Sequence, residues 1–168
     1  MRSIRFHLRP ALIASVIGAL LAVIPATAAD ATATQDVSRG AAKICVPVRA
    51  TGVGQDLGGG QTVATISIGS LEIGMTQGAF TITGVDPNGI ASFTGPIIFT
   101  SDVGTIVAPV TGTLDTATGA FESTSTSLTG TGVFTGVTGT VTLRGTEDLV
   151  TGAFTERVTG RLCFPLRH

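Results

Sequence analysis

The run Gly104-Thr105-Ile106-Val107-Ala108-Pro109-Val110-Thr111-Gly112-Thr113-Leu114-Asp115-Thr116-Ala117-Thr118-Gly119-Ala120-Phe121 settles what kind of secondary structure this chain forms. In its first half Ile106, Ala108, Val110 and Leu114 share one face of an extended backbone, and Thr105, Thr111 and Thr113 share the other. That period of two belongs to a strand with one buried side. Asp115-Thr116-Ala117-Thr118-Gly119 then supplies turn chemistry: an Asp that bonds to the backbone just after it, and a Gly free to take positive φ. A second strand, Phe121–Leu128, follows. The same turn recurs at Asp148-Leu149-Val150-Thr151-Gly152 before Phe154. Only the turn recurs and not the segment between, so hairpins are expected rather than a solenoid. Asp86-Pro87-Asn88-Gly89 is a third turn, joining Phe80–Thr83 to Ala91–Phe93.

Beyond these hairpins the pattern holds. The chain of 168 residues has 23 Gly and 8 Phe, with no Trp and no Tyr, and 27 Thr lie beyond residue 29. Threonine is β-branched and fits a pleated surface. No window after Cys45 places apolar residues at helical spacing without an intervening Gly or run of Thr. Strands are expected at 44–50, 62–69, 71–76, 79–84, 90–100, 104–114, 120–128 and 138–164, the last broken at 148–152. The fold class is all-β, a single eight-stranded antiparallel β-barrel, because closure removes sheet edges. A two-sheet sandwich is the alternative. Gly52-Val53-Gly54 with Gly58-Gly59-Gly60 lacks the spacing of a dinucleotide fingerprint and the lysine of a phosphate loop, and is expected to be a mobile loop.

The ends of the chain carry separate signals. Arg2, Arg5 and Arg9 precede an apolar stretch from Ala11 to Ile24, then Pro25 and the small-x-small Ala26-Thr27-Ala28. This is the layout of a secretory signal peptide over 1–29, cleaved after Ala28 or Ala29. Residues 30–42 form a flexible lead-in, and 43–168 the barrel domain. Export to a secreted or periplasmic location follows. Without residues 1–29, seven basic residues face eleven acidic ones, a net charge of −4. A mildly acidic surface with no basic cluster argues against nucleic acid and anionic membrane surfaces. An outer-membrane barrel would need aromatic girdles that a chain without Trp or Tyr does not have, so no membrane insertion is expected after signal cleavage.

Cys45 and Cys163 sit in similar hexapeptides, Ile44-Cys45-Val46-Pro47-Val48-Arg49 and Leu162-Cys163-Phe164-Pro165-Leu166-Arg167. In an exported chain an even cysteine count reads as a disulfide, here one tying the first strand to the last. Two buried free thiols or a redox pair are the alternatives. Alternation places Phe154, Val158, Leu162 and Phe164 on one face and Arg157, Thr159, Arg161 and Cys163 on the other, so the bond would lie outside the core.

Ser127–Leu143 packs four glycines around Phe134 between two strands. The segment resembles the signature of the allene oxide cyclase and dirigent barrels, with Gly130, Gly132, Phe134 and Gly139 on matching positions and Thr129 departing from the more usual second Gly. The likeness extends over residues 90–155. It implies an eight-stranded calycin-like barrel around an apolar cavity, often assembled as a homotrimer; many bacterial relatives resemble plain exported barrels of unknown role. Plant members cyclise an epoxide or steer radical coupling with carboxylates, Asn, Arg and Tyr inside the barrel. Tyrosine is absent here, so neither residue set carries over whole, and the fold transfers better than the activity.

Subtraction narrows the chemistry. Beyond the signal segment His168 is the only histidine and Lys43 the only lysine. No Ser-His-Asp or Cys-His arrangement, His-based zinc site or Schiff base is available, and no metal or cofactor is expected. Glu156 falls between Phe154 and Val158 on the apolar face, where burial would raise its pKa and fit it for general acid or base work. The plainer expectation is a slip of strand phase at 148–152 that leaves Glu156 on the surface beside Arg157. Glu72 and Glu122 are weaker candidates, expected to be solvated. Ile106, Val110, Phe134, Phe154 and Val158 are the expected lining of a ligand cavity. Thr-x-Thr pairs at 111/113, 124/126 and 138/140/142 are expected to be ordinary outward threonines rather than an ice- or sugar-binding array.

Three functions remain. The first is a non-catalytic module, structural or holding a small apolar molecule in its lumen. The second is a cofactor-free cyclase or isomerase with one buried carboxylate. The third is a surface-interaction protein with a packed barrel. A buried Glu156 with a raised pKa favours the second, an open lumen without such a group the first, and a filled lumen the third.

Overall fold

The computed structural model describes residues 42–166. The expected signal segment with its cleavage point, the lead-in before Ala42, and His168 lie outside the described residues. Among those described, ten strands run in chain order: β1 (Lys43–Gly58), β2 (Gln61–Ile68), β3 (Leu71–Ala79), β4 (Thr81–Val85), β5 (Ile90–Ser101), β6 (Gly104–Asp115), β7 (Ala120–Ser125), β8 (Thr129–Gly130), β9 (Thr138–Glu147) and β10 (Ala153–Pro165). A 3-10 turn covers Gly132–Phe134. Eight strands close an antiparallel barrel in the order β1-β2-β3-β5-β6-β7-β9-β10 and back to β1. The other two extend it: β4 carries the course of β3 along β5, and β8 pairs with the part of β6 that β7 leaves free. The expected eight-stranded barrel therefore forms, and the sandwich does not.

Closure rests on the β1–β10 seam, which pairs continuously from Lys43↔Pro165 to Gln55↔Ala153. Cys45 lies directly opposite Cys163, and the two are joined by a disulfide across a separation of 118 residues. Ala50 and Gly52 on β1 and Phe154, Glu156 and Leu162 on β10 are buried, so even-numbered positions of both strands face the lumen. The odd-numbered cysteines face outward with Arg49 and Arg161.

The glycine-rich segment after Arg49 is not a loop. β1 runs unbroken through Gly52 and Gly54 to Gly58, and only Gly59 and Gly60 turn the chain. The reason is lateral space. Gly54 pairs with Phe154, and a Cβ on Gly54 would overlap the Phe154 ring. Phe93 lies likewise over Gly112, and Phe121 over Gly145. Each ring lies across a strand residue that has no side chain, a pairing known to rescue glycine within sheets.

Three hairpins at the end opposite the disulfide share one device. Asp86 Oδ1 accepts the amides of Asn88 and Ile90, Asp115 Oδ1 those of Ala117 and Thr118, and Asp148 Oδ1 those of Val150 and Thr151. These bonds hold all three carboxyls below their ordinary pKa, with the Ile90 amide, the Thr118 side chain and the Val150 amide as the respective leading causes. The corner between β7 and β9 depends on glycine for another reason. Gly132 takes φ of 60° and Gly139 φ of 136°, the left-handed side that other residues avoid.

Outside the barrel, Thr94, Thr111, Thr124, Thr142 and Thr159 stand in register across five strands. The Thr124 and Thr142 hydroxyls are 3.3 Å apart. Such cross-strand pairs contribute about 0.2–1 kcal/mol each, which gives the threonines a structural role. Inside, one buried cluster gathers Ile106, Val110, Val137 and Leu162, and a second gathers Ala50, Ala64, Ile66 and Phe154.

Replacing both cysteines with alanine is expected to lower the free energy of unfolding by about 2–5 kcal/mol, read from urea denaturation. An unchanged midpoint would show that backbone pairing alone holds the seam. Gly145→Ala is expected to cost about 1–3 kcal/mol by overpacking, because its Cβ would meet the Phe121 ring and the Thr155 carbonyl. Wild-type stability in that variant would show that the ring has room to move.

Candidate functional site

The lumen holds two chambers. The larger, about 360 Å³, lies toward the disulfide end and is walled by aliphatic side chains of β1, β2, β5, β6 and β10. Ile106, Phe134 and Val158 line it. The smaller, about 130 Å³, lies toward the Asp-turn end and includes Phe154. Thr76, Ile97 and Leu143 line both, so the chambers meet at mid-barrel. Val110 lines neither: at 1 % exposure it is packed into the first cluster, filled over by its neighbours.

Glu156 faces inward, against the expectation that a phase slip would turn it to the surface. β10 keeps register with β9 from Phe154↔Glu147 to Cys163↔Thr138 and with β1 over the same residues, so no slip occurs. The Asp148–Gly152 hairpin absorbs the chain reversal completely. Glu156 is 8 % exposed and lines the smaller chamber. Its strand neighbours are Gly52 on one side and Gly145 on the other. A Cβ on Gly52 would stand 2.6 Å from Glu156 Cγ, so that glycine is what admits the carboxylate. Burial alone raises the Glu156 pKa to about 7. With no cationic or hydrogen-bonding partner among the described residues, the carboxyl keeps its proton in mildly acidic solution and becomes an unpaired buried anion in alkaline solution.

The other acidic candidates behave as expected. Glu72 is exposed on β3, and Glu122 is exposed on β7, paired with Arg144 at 2.8 Å. Two carboxylates that sequence reasoning passed over do reach the smaller chamber, Asp56 from β1 and Glu147 from β9. Burial and then the Asp56 charge push the Glu147 pKa upward. Alternation carried through the glycines would have found both. Gly52, Gly54 and Asp56 share a face, as do Leu143, Gly145 and Glu147. Phe80, Phe93 and Phe121 were likewise missed as lining residues. The motif glycines Gly130, Gly132 and Gly139 shape the β7–β9 corner and place Phe134 against the larger chamber.

No group of three or more His, Cys, Asp or Glu side chains among the described residues is gathered closely enough to hold a metal ion. Asp56 and Glu147 stand within hydrogen-bond reach of each other, and neither carboxylate perturbs Glu156. A single carboxyl titrating near neutrality is able to give or take a proton from a molecule beside it.

No family model matches the sequence, and no curated protein matches it. Among solved structures, the pterocarpan synthase dirigent protein PsPTS1 aligns at 15 % identity over 74 % of this chain and 97 % of its own, with a TM-score of 0.48.

Glu156 sets a pH dependence of stability. Its folded pKa exceeds the 4.5 of a free glutamate, so between about pH 4.5 and 7 the native state holds a proton that the unfolded state releases. The native fold is favoured below that window, loses stability as pH rises through it, and loses no more from this group above about 7. The full loss is roughly 3 kcal/mol, because each tenfold difference in proton affinity between the two states corresponds to about 1.4 kcal/mol. Glu156→Gln is therefore expected to match wild type near the acid end of the window and to exceed it in stability above about pH 7. Parallel stability curves for the two proteins would show that the carboxylate is solvated.

Proposed function

We propose that this protein is an exported barrel that binds a small, largely apolar molecule in its lumen. The observation that carries the reading is the larger chamber, whose volume of about 360 Å³ falls in the range of known small-molecule sites. Eight-stranded barrels have interiors that are either filled by side chains or hold one small ligand. Here small residues such as Ala50 and Ala108 stand where larger ones would fill the space. The larger chamber is walled mainly by apolar side chains, where a water-filled membrane channel would be polar. The Cys45–Cys163 disulfide is consistent with an extracellular or periplasmic location, and the signal layout of residues 1–29 supplies the route there.

A second reading is favoured by one observation, the buried Glu156 in the wall of the smaller chamber. A cofactor-free isomerase or cyclase needs one such group to move a proton on an enclosed substrate. This is the activity that the resemblance of Gly130–Gly139 implies.

Native mass spectrometry of the oxidised protein from an exporting culture is expected to show extra mass that leaves on mild activation. Ala108→Phe, which places a ring in the larger chamber, is expected to weaken that binding by about tenfold or more. A clean apoprotein mass in wild type, together with no uptake of an apolar fluorescent probe, would refute the binding reading.

A further inference from the structure

We propose that the smaller chamber is a receptor for an organic cation, so that the lumen takes an amphipathic ligand with its ammonium head at Glu156 and its apolar body in the larger chamber. The inference rests on the lumen being a ligand site and names the class of ligand. Asp56, Glu147 and Glu156 come from three different strands to line one chamber, with no Lys, Arg or His among the described residues of its wall. Of the three, Glu156 is more than nine-tenths buried, makes no hydrogen bond or ion pair with the described residues, and opens its carboxyl oxygens onto the chamber. A buried anion left in that state is costly, and an entering cation offsets the cost.

The rest of the wall suits the same head group. Phe80 and Phe93 line the chamber with ring centroids 5.1 Å apart, and Phe121 and Phe154 with centroids 6.0 Å apart. The face of each ring carries partial negative charge and attracts a desolvated cation, as in sites for quaternary ammonium groups. Asp56 and Glu147 pair with each other while Glu156 stands apart, and no three acidic groups among the described residues gather as metal ligands would, so the geometry favours a charge spread over a bulky head rather than a compact ion. Continuity with the larger chamber through Thr76, Ile97 and Leu143 gives an attached apolar chain a place to go. An anionic head would meet three carboxylates.

The test is calorimetric titration of the oxidised protein with octyltrimethylammonium, octanol and octanoate, at low salt to limit screening and on the alkaline side of the Glu156 transition. The ammonium is expected to bind about tenfold or more tightly than octanol, with octanoate weakest. Glu156→Gln is expected to weaken ammonium binding about tenfold and leave octanol unchanged. Glu147→Gln, at the half-buried rim, is the second variant and is expected to weaken the ammonium alone by about threefold. Equal binding of ammonium and octanol, or tighter binding of octanoate, overturns the cation receptor while the binding lumen stands. Ammonium affinity unchanged in both variants does the same. Failure of all three probes to bind wild type overturns both readings.

Discussion

Pairing of β1 with β10 holds every other feature of this barrel in place. A curled sheet of eight strands becomes a barrel only when its first and last strands meet in register, and the enclosed lumen exists only then. The seam combines a long run of backbone pairing with the Cys45–Cys163 bond, which joins the two strands directly opposite each other. It also determines which side chains look inward. Because side chains alternate, a shift of one residue at the seam would exchange Glu156, Phe154 and Gly52 for their outward neighbours. Disulfide, register and lumen chemistry are thus fixed together at one place.

Within the closed barrel, the glycines distribute space. Rings of Phe93, Phe121 and Phe154 lie over Gly112, Gly145 and Gly54 on adjacent strands, and Glu156 lies between Gly52 and Gly145. Large inward groups therefore lean sideways over bare backbone instead of meeting at the axis. That arrangement leaves room at the centre, and the two chambers are what remains. It also fixes where polarity enters the lumen, since the strand ends nearest the Asp turns bring Asp56 and Glu147 to the rim.

Glu156 runs against the stability of the fold. Its burial without a partner makes the native state less stable in alkaline solution than an amide at the same place would. Groups held at such cost concentrate at functional sites. Both the proton-transfer reading and the cation-receptor reading give the carboxylate a use, and they differ in whether the molecule beside it reacts or merely stays.

Local sequence was enough to mark most of the strands, the hairpins and the pairing of the cysteines, but not the second half of β1 or the short β8. These depend on local period, turn chemistry and cysteine count, all of which are written in adjacent residues such as Asp115–Gly119. The phase of β10 stayed undecided at that level, because the Asp148–Gly152 turn allows either register and only the neighbours Gly52 and Gly145 select one. Gly52–Gly60 was misread as a loop, since glycine signals conformational freedom locally and lateral space only when a ring from another strand is present. The joining of Asp56 with Glu147 and Glu156 in one chamber belongs to the tertiary structure alone, for it requires β1 to close against the distant β9–β10 hairpin at the same mouth of the barrel.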